Sequence, residues 1–233
     1  MPHYDYDKDY PFAAFITNLG KYNEGALVGE WVKFPTTAEE LKKVFERIGI
    51  GAKDDFGQTY EEWFITDYDC PDEVIGKVLG EYESLSELNY LAGQIMELRE
   101  SDDFWQAVLD LGENTGSVQE LINLTENLDC FDYLPGVRND YDLGYYWIEE
   151  SGCYDTSNLG ALANYIDYES FGRDIRYEEG GMFGDNGYVR SNGGRFVDIY
   201  DGDIENIPEE YRISSPVAME RTEVKRQTEQ PER

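Results

Sequence analysis

Histidine is almost absent from this chain of 233 residues, and its single copy, His3, lies in a polar N-terminal leader. The sequence therefore excludes Ser-His-Asp and Cys-His catalysis, histidine general bases and histidine-rich zinc sites from the folded part. Cysteine is scarce too: Cys70, Cys130 and Cys153 form no CxxC pair, as expected of reduced thiols in a cytosolic protein. Neither a GxxxxGKS/T motif nor a strand-borne GxGxxG motif occurs, so no nucleotide cofactor is expected.

Long apolar runs are missing as well. No stretch of 18 or more apolar residues exists, so neither a transmembrane helix nor a membrane partner is expected. The start, MPHYDYDKDYPF, lacks a basic region followed by an apolar one, so it does not read as a signal peptide. These features predict a cytoplasmic protein.

Positive charge is the largest deficit of the chain. Asp and Glu total 50 against 19 Lys and Arg, which gives a formal net charge of -31. Between Asp54 and Gly172 there are 28 acidic residues and three basic ones, Lys77, Arg99 and Arg138. Because duplex DNA carries one charge per roughly 1.7 Å of axis, about 31 charges match roughly 15 base pairs. Such a surface repels nucleic acid and attracts proteins that are built to hold it.

Aromatic residues are abundant: 19 Tyr, 11 Phe and 4 Trp make up 15% of a chain that is 40% hydrophobic. The chain can therefore bury a core, and disorder is expected only in a leader over 1–11 and a tail over 214–233. A merely solvated surface, which keeps a protein soluble or salt-tolerant, stays open as an explanation of the acidity.

The patterns predict an α+β fold with three small domains. Residues 12–71 form the first, in which a helix over 37–48 begins with a capping box of Thr37 and Glu40. Alternation and turn residues predict its small antiparallel sheet, with strands over 12–19, 26–34 and 60–66.

The second and third domains differ in character. Residues 72–128 carry apolar residues at helical spacing and predict a compact acidic bundle, with helices over 72–79 and 84–100 and from Ser101 and Ser117. Residues 129–213 predict a mixed α+β domain. Its elements are Tyr-rich helices over 141–151 and 159–171 and a hairpin of 188–190 with 196–200.

The carboxylates divide into two groups. Five lie in the first turns of predicted helices, where they complement the helix dipole: Glu39, Glu40, Asp102, Asp103 and Glu120. Twelve others have few basic neighbours, and we expect them to form an exposed acidic stripe that runs from the third strand across the bundle. They are Asp67, Asp69, Asp72, Glu73, Glu81, Glu83, Glu87, Glu97, Glu100, Asp110, Glu113 and Glu126.

Calcium binding is one alternative, because acidic residues alternate over 5–9 and over 201–205. An EF-hand loop needs Gly at its sixth position, where these runs have Tyr10 and Asn206. No dedicated metal site is therefore expected. An acidic solubility or calcium-buffer protein without a specific partner stays open.

A carboxylate-based glycoside hydrolase is another alternative, since such enzymes use acidic residues beside aromatic ones. Two pairs of carboxylates adjoin a tryptophan: Glu61 and Glu62 beside Trp63, and Glu149 and Glu150 beside Trp147. Because the chain has 50 acidic residues, chance explains such neighbours well, and no catalytic residue is assigned.

The aromatic segments 145–148 and 165–171 offer more apolar surface than a short domain needs. Core packing is one explanation, and a subunit interface, where Tyr and Trp are enriched, is the other. We expect a mixture of the two, with a homodimer contact that includes Tyr145, Tyr146, Trp147, Ile148, Tyr165 and Tyr168.

Five segments, in order along the chain, resemble the ArdA antirestriction family. They are NLGKYNEGALVGEW (18–31), YEEWFITDYDCP (60–71), SLSELN (84–89), YYWIEESG (145–152) and LANYIDYESFGRDI (162–175). The resemblance extends over about residues 12–200.

The resemblance implies an elongated three-domain DNA mimic, carried by plasmids, conjugative transposons or phages in bacterial hosts. It implies a dimer formed through the C-terminal domain, with 145–152 matching the antirestriction motif. The implied partner is a type I restriction-modification enzyme, whose DNA-binding groove is formed by specificity and modification subunits. Exposed carboxylates then take the place of phosphates and pair with the Lys and Arg that track the DNA backbone.

Overall fold

A computed structural model describes residues 10–98 and 102–213, and its helices and two small sheets confirm the α+β class. The chain divides into two compact units, each assembled from separated segments. The described residues of the first unit are 10–97, 116–122 and 200–213, and those of the second are 98, 102–115 and 123–199. The division into three domains stays a prediction.

The first unit contains an antiparallel sheet with the strand order β2-β1-β3. Its strands are β1 (Phe12–Asn18), β2 (Gly29–Phe34) and β3 (Trp63–Asp69), and the short helix α1 (Leu19–Asn23) follows β1. One face of the sheet is covered by α2 (Ala38–Arg47), whose Phe45 ring lies 5.8 Å from that of Trp63.

Local sequence signals explain the boundaries of α2. The hydroxyl oxygen of Thr37 accepts a hydrogen bond from the Glu40 N–H at 3.2 Å, as the predicted cap requires. Gly49 follows the helix with φ +82, a conformation that glycine adopts without steric cost. The apolar stripe of the helix, Leu41, Val44 and Phe45, is buried.

Two further helices of the first unit are α3 (Glu73–Val78) and α4 (Leu85–Glu97). Leu85, Leu88 and Leu91 of α4 are buried, as their helical spacing predicts. The unit also contains the start of α6 (Val118–Thr125), where the Ser117 hydroxyl accepts the Glu120 N–H at 3.1 Å. Residues 200–213 return to this unit through two short 3-10 turns, Ile204–Asn206 and Glu209–Tyr211.

The second unit contains an antiparallel sheet with the strand order β4-β6-β5. Its elements are α5 (Asp102–Leu111), β4 (Phe131–Pro135), α7 (Asp140–Tyr145), α8 (Tyr168–Glu179), β5 (Met182–Phe183) and β6 (Gly187–Ser191). Short turns accompany them: 3-10 turns at Leu128–Cys130 and Gly160–Tyr165, and a π-helical turn, Tyr146–Glu150, after α7. Val137, Leu143 and Tyr188 form a buried cluster within this unit.

Helices α7 and α8 cross at two glycines. A Cβ atom on Gly144 would lie 1.9 Å from the carbonyl oxygen of Tyr168, and one on Gly172 would lie 1.8 Å from that of Asp140. Both clashes involve backbone atoms, so the close approach of the two helices depends on the missing side chains. The guanidinium of Arg176 adds a bond to Asp140, with Nε donating to Oδ1 at 2.8 Å.

Two predictions for the second unit are wrong. The hairpin of 188–190 with 196–200 does not form, because both edges of β6 pair with other strands, β4 and β5. Val197 instead exchanges two hydrogen bonds of 2.9 Å with the side-chain amide of Asn127. The single helix over 159–171 is broken, because Asp167 caps a new helix, α8, by accepting the Ser170 N–H at 3.0 Å.

Candidate functional site

The third strand brings two of the predicted carboxylates to the first unit's surface. A β-bulge sets Ile16 opposite Ile65 and Phe15 opposite Asp67, so Thr66 is an extra residue in β3. Asp67 is exposed as a result. Asp69 is half-buried, and its partial desolvation raises the pKa of its carboxyl group.

The carboxylates that follow β3 have different local roles. Asp72 caps α3, because its Oδ1 accepts the N–H groups of Val74 and Ile75, both at 2.8 Å. Glu73 is exposed, and its closest cation is the ammonium group of Lys77 at 3.9 Å. Such a contact between solvated groups contributes little to stability, so Glu73 stays accessible to a partner.

Three more predicted carboxylates lie on or just before α4. Burial raises the pKa of Glu83, and the negative charge of Glu87 adds to the increase. Glu87 accepts a hydrogen bond from the hydroxyl of Tyr200 at 2.8 Å. Glu97 is exposed and accepts a longer bond, of 3.5 Å, from the hydroxyl of Tyr211.

The remaining members of the predicted stripe belong to the second unit or lie outside the described residues. Asp110, Glu113 and Glu126 are exposed and belong to the second unit, and Asp110 accepts a bond from Gln106 Nε2 at 3.2 Å. Glu100 lies outside the described residues. Of the twelve carboxylates, seven are therefore exposed: Asp67, Glu73, Glu81, Glu97, Asp110, Glu113 and Glu126.

The predicted dimer residues occupy two kinds of position in the second unit. Tyr146 and Trp147 are half-buried and pack against the buried cluster of Val137, Leu143 and Tyr188. Ile148 and Tyr168 are also half-buried, and Tyr145 is exposed, with its ring 5.5 Å from that of Tyr168. Tyr165 is 84% exposed, so it has the largest free surface of the six.

The carboxylate pairs considered for catalysis are exposed. Glu61 and Glu62 line an open cleft of about 450 Å³, together with Glu24, Asp54 and Tyr60. Hydrogen bonds from Tyr60 and Lys21 hold the pKa of Glu24 below its usual range, which is the opposite of what a general acid needs.

The second pair has a structural partner. Glu149 accepts a hydrogen bond of 2.6 Å from Tyr168, and that bond raises the pKa of Tyr168 to about 12. Glu150 is exposed. The cleft beside the first pair, Glu61 and Glu62, is open to solvent.

The alternating acidic residues of 201–205 accept hydrogen bonds from neighbouring residues of the same segment. Asp201 accepts hydrogen bonds from the side-chain amide of Asn206 at 3.0 and 3.1 Å, and Asp203 accepts the Glu205 N–H at 3.0 Å. Among residues 10–98 and 102–213, no group of three or more His, Cys, Asp and Glu is placed to hold a metal ion. The first alternating run, over 5–9, lies outside those residues.

The described residues include no membrane-spanning helix, and their three cysteines are unpaired. None of their helices is long and apolar enough to span a membrane. Cys70 is half-buried, Cys130 is buried and Cys153 is exposed, and all three are free thiols. Burial raises the pKa of Cys70, so this thiol is held in its unreactive protonated form.

Comparison with protein families places this acidic chain among known relatives. The family model described as antirestriction protein (ArdA) matches residues 14–190, which is more than half of the chain. The chain belongs to the ArdA family. Membership implies an antirestriction protein that interacts with restriction enzymes. A search of curated proteins finds no significant match.

The ArdA match includes all twelve predicted carboxylates and all six aromatic and aliphatic residues of the predicted dimer contact. It leaves out residues 200–213, which pack on α4 in the first unit. Ser86 exchanges two hydrogen bonds with the backbone of Ile213, and Asn89 donates to the carbonyl oxygen of Tyr211 at 3.1 Å. We call this segment, 200–213, the strap. No sequence signal indicates its docking site, because the contacts join residues more than 100 positions apart.

Proposed function

We propose that this chain is a DNA mimic that occupies the DNA-binding groove of a type I restriction-modification enzyme. The observation that carries the proposal is the exposure of seven carboxylates in a region with almost no bases. From Asp54 to Glu97 the sequence has twelve acidic residues and one basic residue, Lys77. Lys77 itself is solvent-exposed and lies 3.9 Å from Glu73.

Exposed carboxylates are accessible to cations of another protein. In the groove of the enzyme, formed by specificity and modification subunits, the Lys and Arg that normally contact phosphates provide those cations. Phosphate contacts carry no sequence information, so a mimic of the backbone inhibits enzymes of different sequence specificity. The proposal requires no catalytic step, cofactor or metal, and the protein itself does not bind nucleic acid.

A homodimer is part of the proposal. Within the second unit, Tyr141, Tyr145, Leu162 and Tyr165 are all exposed, and Leu162 and Tyr165 are 67% and 84% exposed. Tyrosine is enriched in protein interfaces because its ring supplies apolar area and its hydroxyl a hydrogen bond. A second copy of this chain is the partner that we infer for this surface. The site of action is the cytoplasm of a bacterial host that receives mobile DNA.

The test is competition between the protein and duplex DNA for a purified type I methyltransferase core, at low and at high salt. We expect DNA to be displaced, and we expect the displacement to weaken as salt rises because the contacts are ionic. Several cores of different sequence specificity are used. If saturating protein leaves DNA binding by all of them unchanged, the proposal fails.

A matched pair of variants separates a specific surface from general acidity. In one variant the seven exposed carboxylates of the stripe become amides. In the control, seven exposed carboxylates elsewhere become amides: Glu39, Glu46, Glu169, Asp174, Glu178, Asp185 and Asp198. Both variants lose the same charge, and we expect only the first to lose most of the competition. Equal losses would indicate a nonspecific polyanion.

A further inference from the structure

An aromatic cluster lies on the face of the first sheet that α2 does not cover. The ring of Phe64 lies 5.2 Å from that of Tyr22, edge-on, and 6.4 Å from that of Tyr82, nearly parallel. Phe64 is buried, whereas Tyr22 is 50% and Tyr82 is 73% exposed. We call these three residues the aromatic platform.

The backbone fixes this platform in position. Phe64 lies opposite Thr17 of β1. It directly follows Trp63, whose ring packs on α2, so the Phe64 side chain points to the other face of the sheet. Residues 80–82 run along β3, where Ile65 N–H donates to the Glu81 carbonyl oxygen at 2.9 Å. The hydroxyl of Tyr68 donates to the carbonyl oxygen of Gly80 at 2.8 Å. These bonds hold the backbone that precedes Tyr82 against β3, next to Phe64.

Exposed carboxylates adjoin the platform. Glu81 directly precedes Tyr82 and is exposed. Asp67 is exposed on the same face as Phe64, because the bulge at Thr66 turns it away from the opposite face, where strict alternation would place it. Thr66 points to this face too, since its hydroxyl lies 2.8 Å from that of Thr17. The surface thus combines stacked rings with negative charge.

Among the described residues, the same combination occurs internally around Lys21, Arg176 and Arg190. There a cation lies over an aromatic ring and also contacts a carboxylate: Lys21 with Tyr60 and Glu24, Arg176 with Tyr177 and Asp140, and Arg190 with Trp147 and Asp132. The cation lies 4.4, 4.8 and 5.2 Å from the ring centroids. In the described residues, the cation–aromatic contacts found do not involve Tyr22, Phe64 or Tyr82.

We propose that the aromatic platform is a binding surface for arginine side chains of the partner protein. A guanidinium group stacks on Tyr82 or Tyr22 while Glu81 or Asp67 pairs with its N–H groups. Arginine suits such a surface better than lysine, because its planar, weakly hydrated head stacks on rings and still forms two hydrogen bonds to a carboxylate. The inference rests on the proposed function, which supplies a partner rich in phosphate-binding cations.

The platform changes how affinity depends on salt. Pairs of solvated charges weaken steeply with ionic strength, whereas burial of aromatic rings does not. Loss of a platform ring is therefore expected to lower affinity by the same factor at low and at high salt. Loss of carboxylates from the stripe is expected to matter most at low salt.

Two single variants, Tyr82→Ala and Tyr22→Ala, test the inference in the full-length protein. The control is Tyr177→Ala, because Tyr177 is 72% exposed but already lies under Arg176. We expect each platform variant to bind a type I methyltransferase core about tenfold more weakly, as is typical of an interface tyrosine. The control should bind like the wild type. Equal affinity of the wild type and both platform variants overturns the inference, even though the proposed function stands.

A second measurement does not depend on the restriction enzyme. Binding of deca-arginine and of deca-lysine to the full-length protein is compared at equal salt. We expect deca-arginine to bind more tightly to the wild type, and the difference to disappear in a variant that lacks both exposed rings, Tyr22→Ala with Tyr82→Ala. A preference that persists in that variant overturns the inference. If the preference disappears as expected but the methyltransferase core is not bound, only the proposed function fails.

Discussion

The hydroxyl of Tyr200 donates a hydrogen bond of 2.8 Å to the carboxylate of Glu87, although 113 residues separate the two in the chain. Tyr200 is only 3% exposed, and burial raises the pKa of its hydroxyl, with a further increase from Glu87. The hydroxyl therefore stays protonated at neutral pH and can donate this bond. This bond anchors one end of the strap to α4.

Tyr200→Phe removes the bond and retains the ring. We expect the free energy of unfolding to fall by about 1–2 kcal/mol, because hydrogen bonds to charged groups contribute about that much. Glu87→Gln keeps an acceptor oxygen and should cost less. Chemical denaturation of both variants and of the double variant gives the coupling between the two groups. Strictly additive effects would show that the bond does not stabilise the protein.

Gly93→Ala tests the other end of the strap. Its new Cβ would lie 2.2 Å from a ring carbon of Tyr211, so the ring must move away. Gly76→Ala in α3 is the control, since its Cβ meets only the Cβ of Cys70, at 3.8 Å. Each alanine gains up to about 1 kcal/mol of helix propensity. We expect Gly76→Ala to keep that gain and Gly93→Ala to be less stable than the control by about 1–3 kcal/mol.

The denaturation midpoints of Gly93→Ala and Gly76→Ala measure this difference directly. Limited proteolysis adds a local one, because a displaced Tyr211 should leave the strap more susceptible to cleavage. If both variants are stabilised equally, the close packing of Tyr211 on Gly93 does not exist in solution.

Gly144→Ala and Gly172→Ala should be much more severe. Their Cβ atoms would lie within 2 Å of backbone oxygens of the facing helix, and backbone cannot rotate aside as a ring can. We expect a loss of at least about 3 kcal/mol, at the upper end for overpacking. Circular dichroism and urea denaturation measure it, with Gly76→Ala as the helical control. A loss below about 1 kcal/mol would contradict the close crossing of α7 and α8.

Glu83 makes stability depend on pH. Its folded pKa is raised by burial and by Glu87, so the native state binds the proton more readily than the unfolded chain. The free energy of unfolding therefore falls as pH rises from the pKa of Glu83 in the unfolded chain through its pKa in the folded protein. At neutral pH the folded protein still bears the cost of holding an ionised, half-buried carboxylate. Glu83→Gln should remove this cost and stabilise the protein at pH 7 by about 0.5 kcal/mol, since water still screens a half-buried group.

The control for Glu83→Gln is Glu73→Gln, because the side chain of Glu73 is 89% exposed. It should change stability little at any pH. Denaturation of both variants at about pH 5 and pH 7 tests the difference. A larger stabilisation by Glu83→Gln at the lower pH would reverse the expected sign and contradict the burial of this carboxyl group.

The proposed dimer depends on exposed apolar side chains of the second unit. Leu162→Ser and Tyr165→Ser together should raise the dimer dissociation constant at least about tenfold, because interface tyrosines often contribute more than 1 kcal/mol each. Sedimentation over a range of protein concentrations measures the change. Tyr177→Ser removes a tyrosine with a comparable exposed area and serves as the control. A wild-type protein that stays monomeric at every concentration would contradict the dimer.

Elements that depend on local signals could be predicted from the sequence. The cap at Thr37, the box of Ser117 and Glu120, and the alternating strand from Phe12 all involve residues within a few positions of one another. Strand β4 was not predicted, because it pairs with β6 more than 50 residues later and its five residues carry little alternation. The wrong hairpin has the same origin: the residues between its two predicted strands, SNGGR (191–195), favour a turn, but β4 and β5 already occupy both edges of β6.

The candidate surface was predictable in composition but not in detail. A regional excess of carboxylates is visible in the sequence, and seven of the twelve chosen residues are exposed. Glu87 could not be separated from the others, because its partner Tyr200 lies in a segment whose docking on α4 has no local signal. Asp69 and Glu83 are half-buried, and the sequence pattern did not distinguish them from the exposed carboxylates.

The bulge in β3 determines to which face of the sheet the residues that follow it point. In an uninterrupted strand, Thr66 and Asp67 would point to opposite faces, and a carboxylate would be forced against the apolar side chains of α2. Because Thr66 is the extra residue, regular pairing that kept it would bury this anion, whereas its deletion would leave Asp67 opposite Phe15 and facing solvent. Spacing in this strand is as much a determinant of surface charge as composition is.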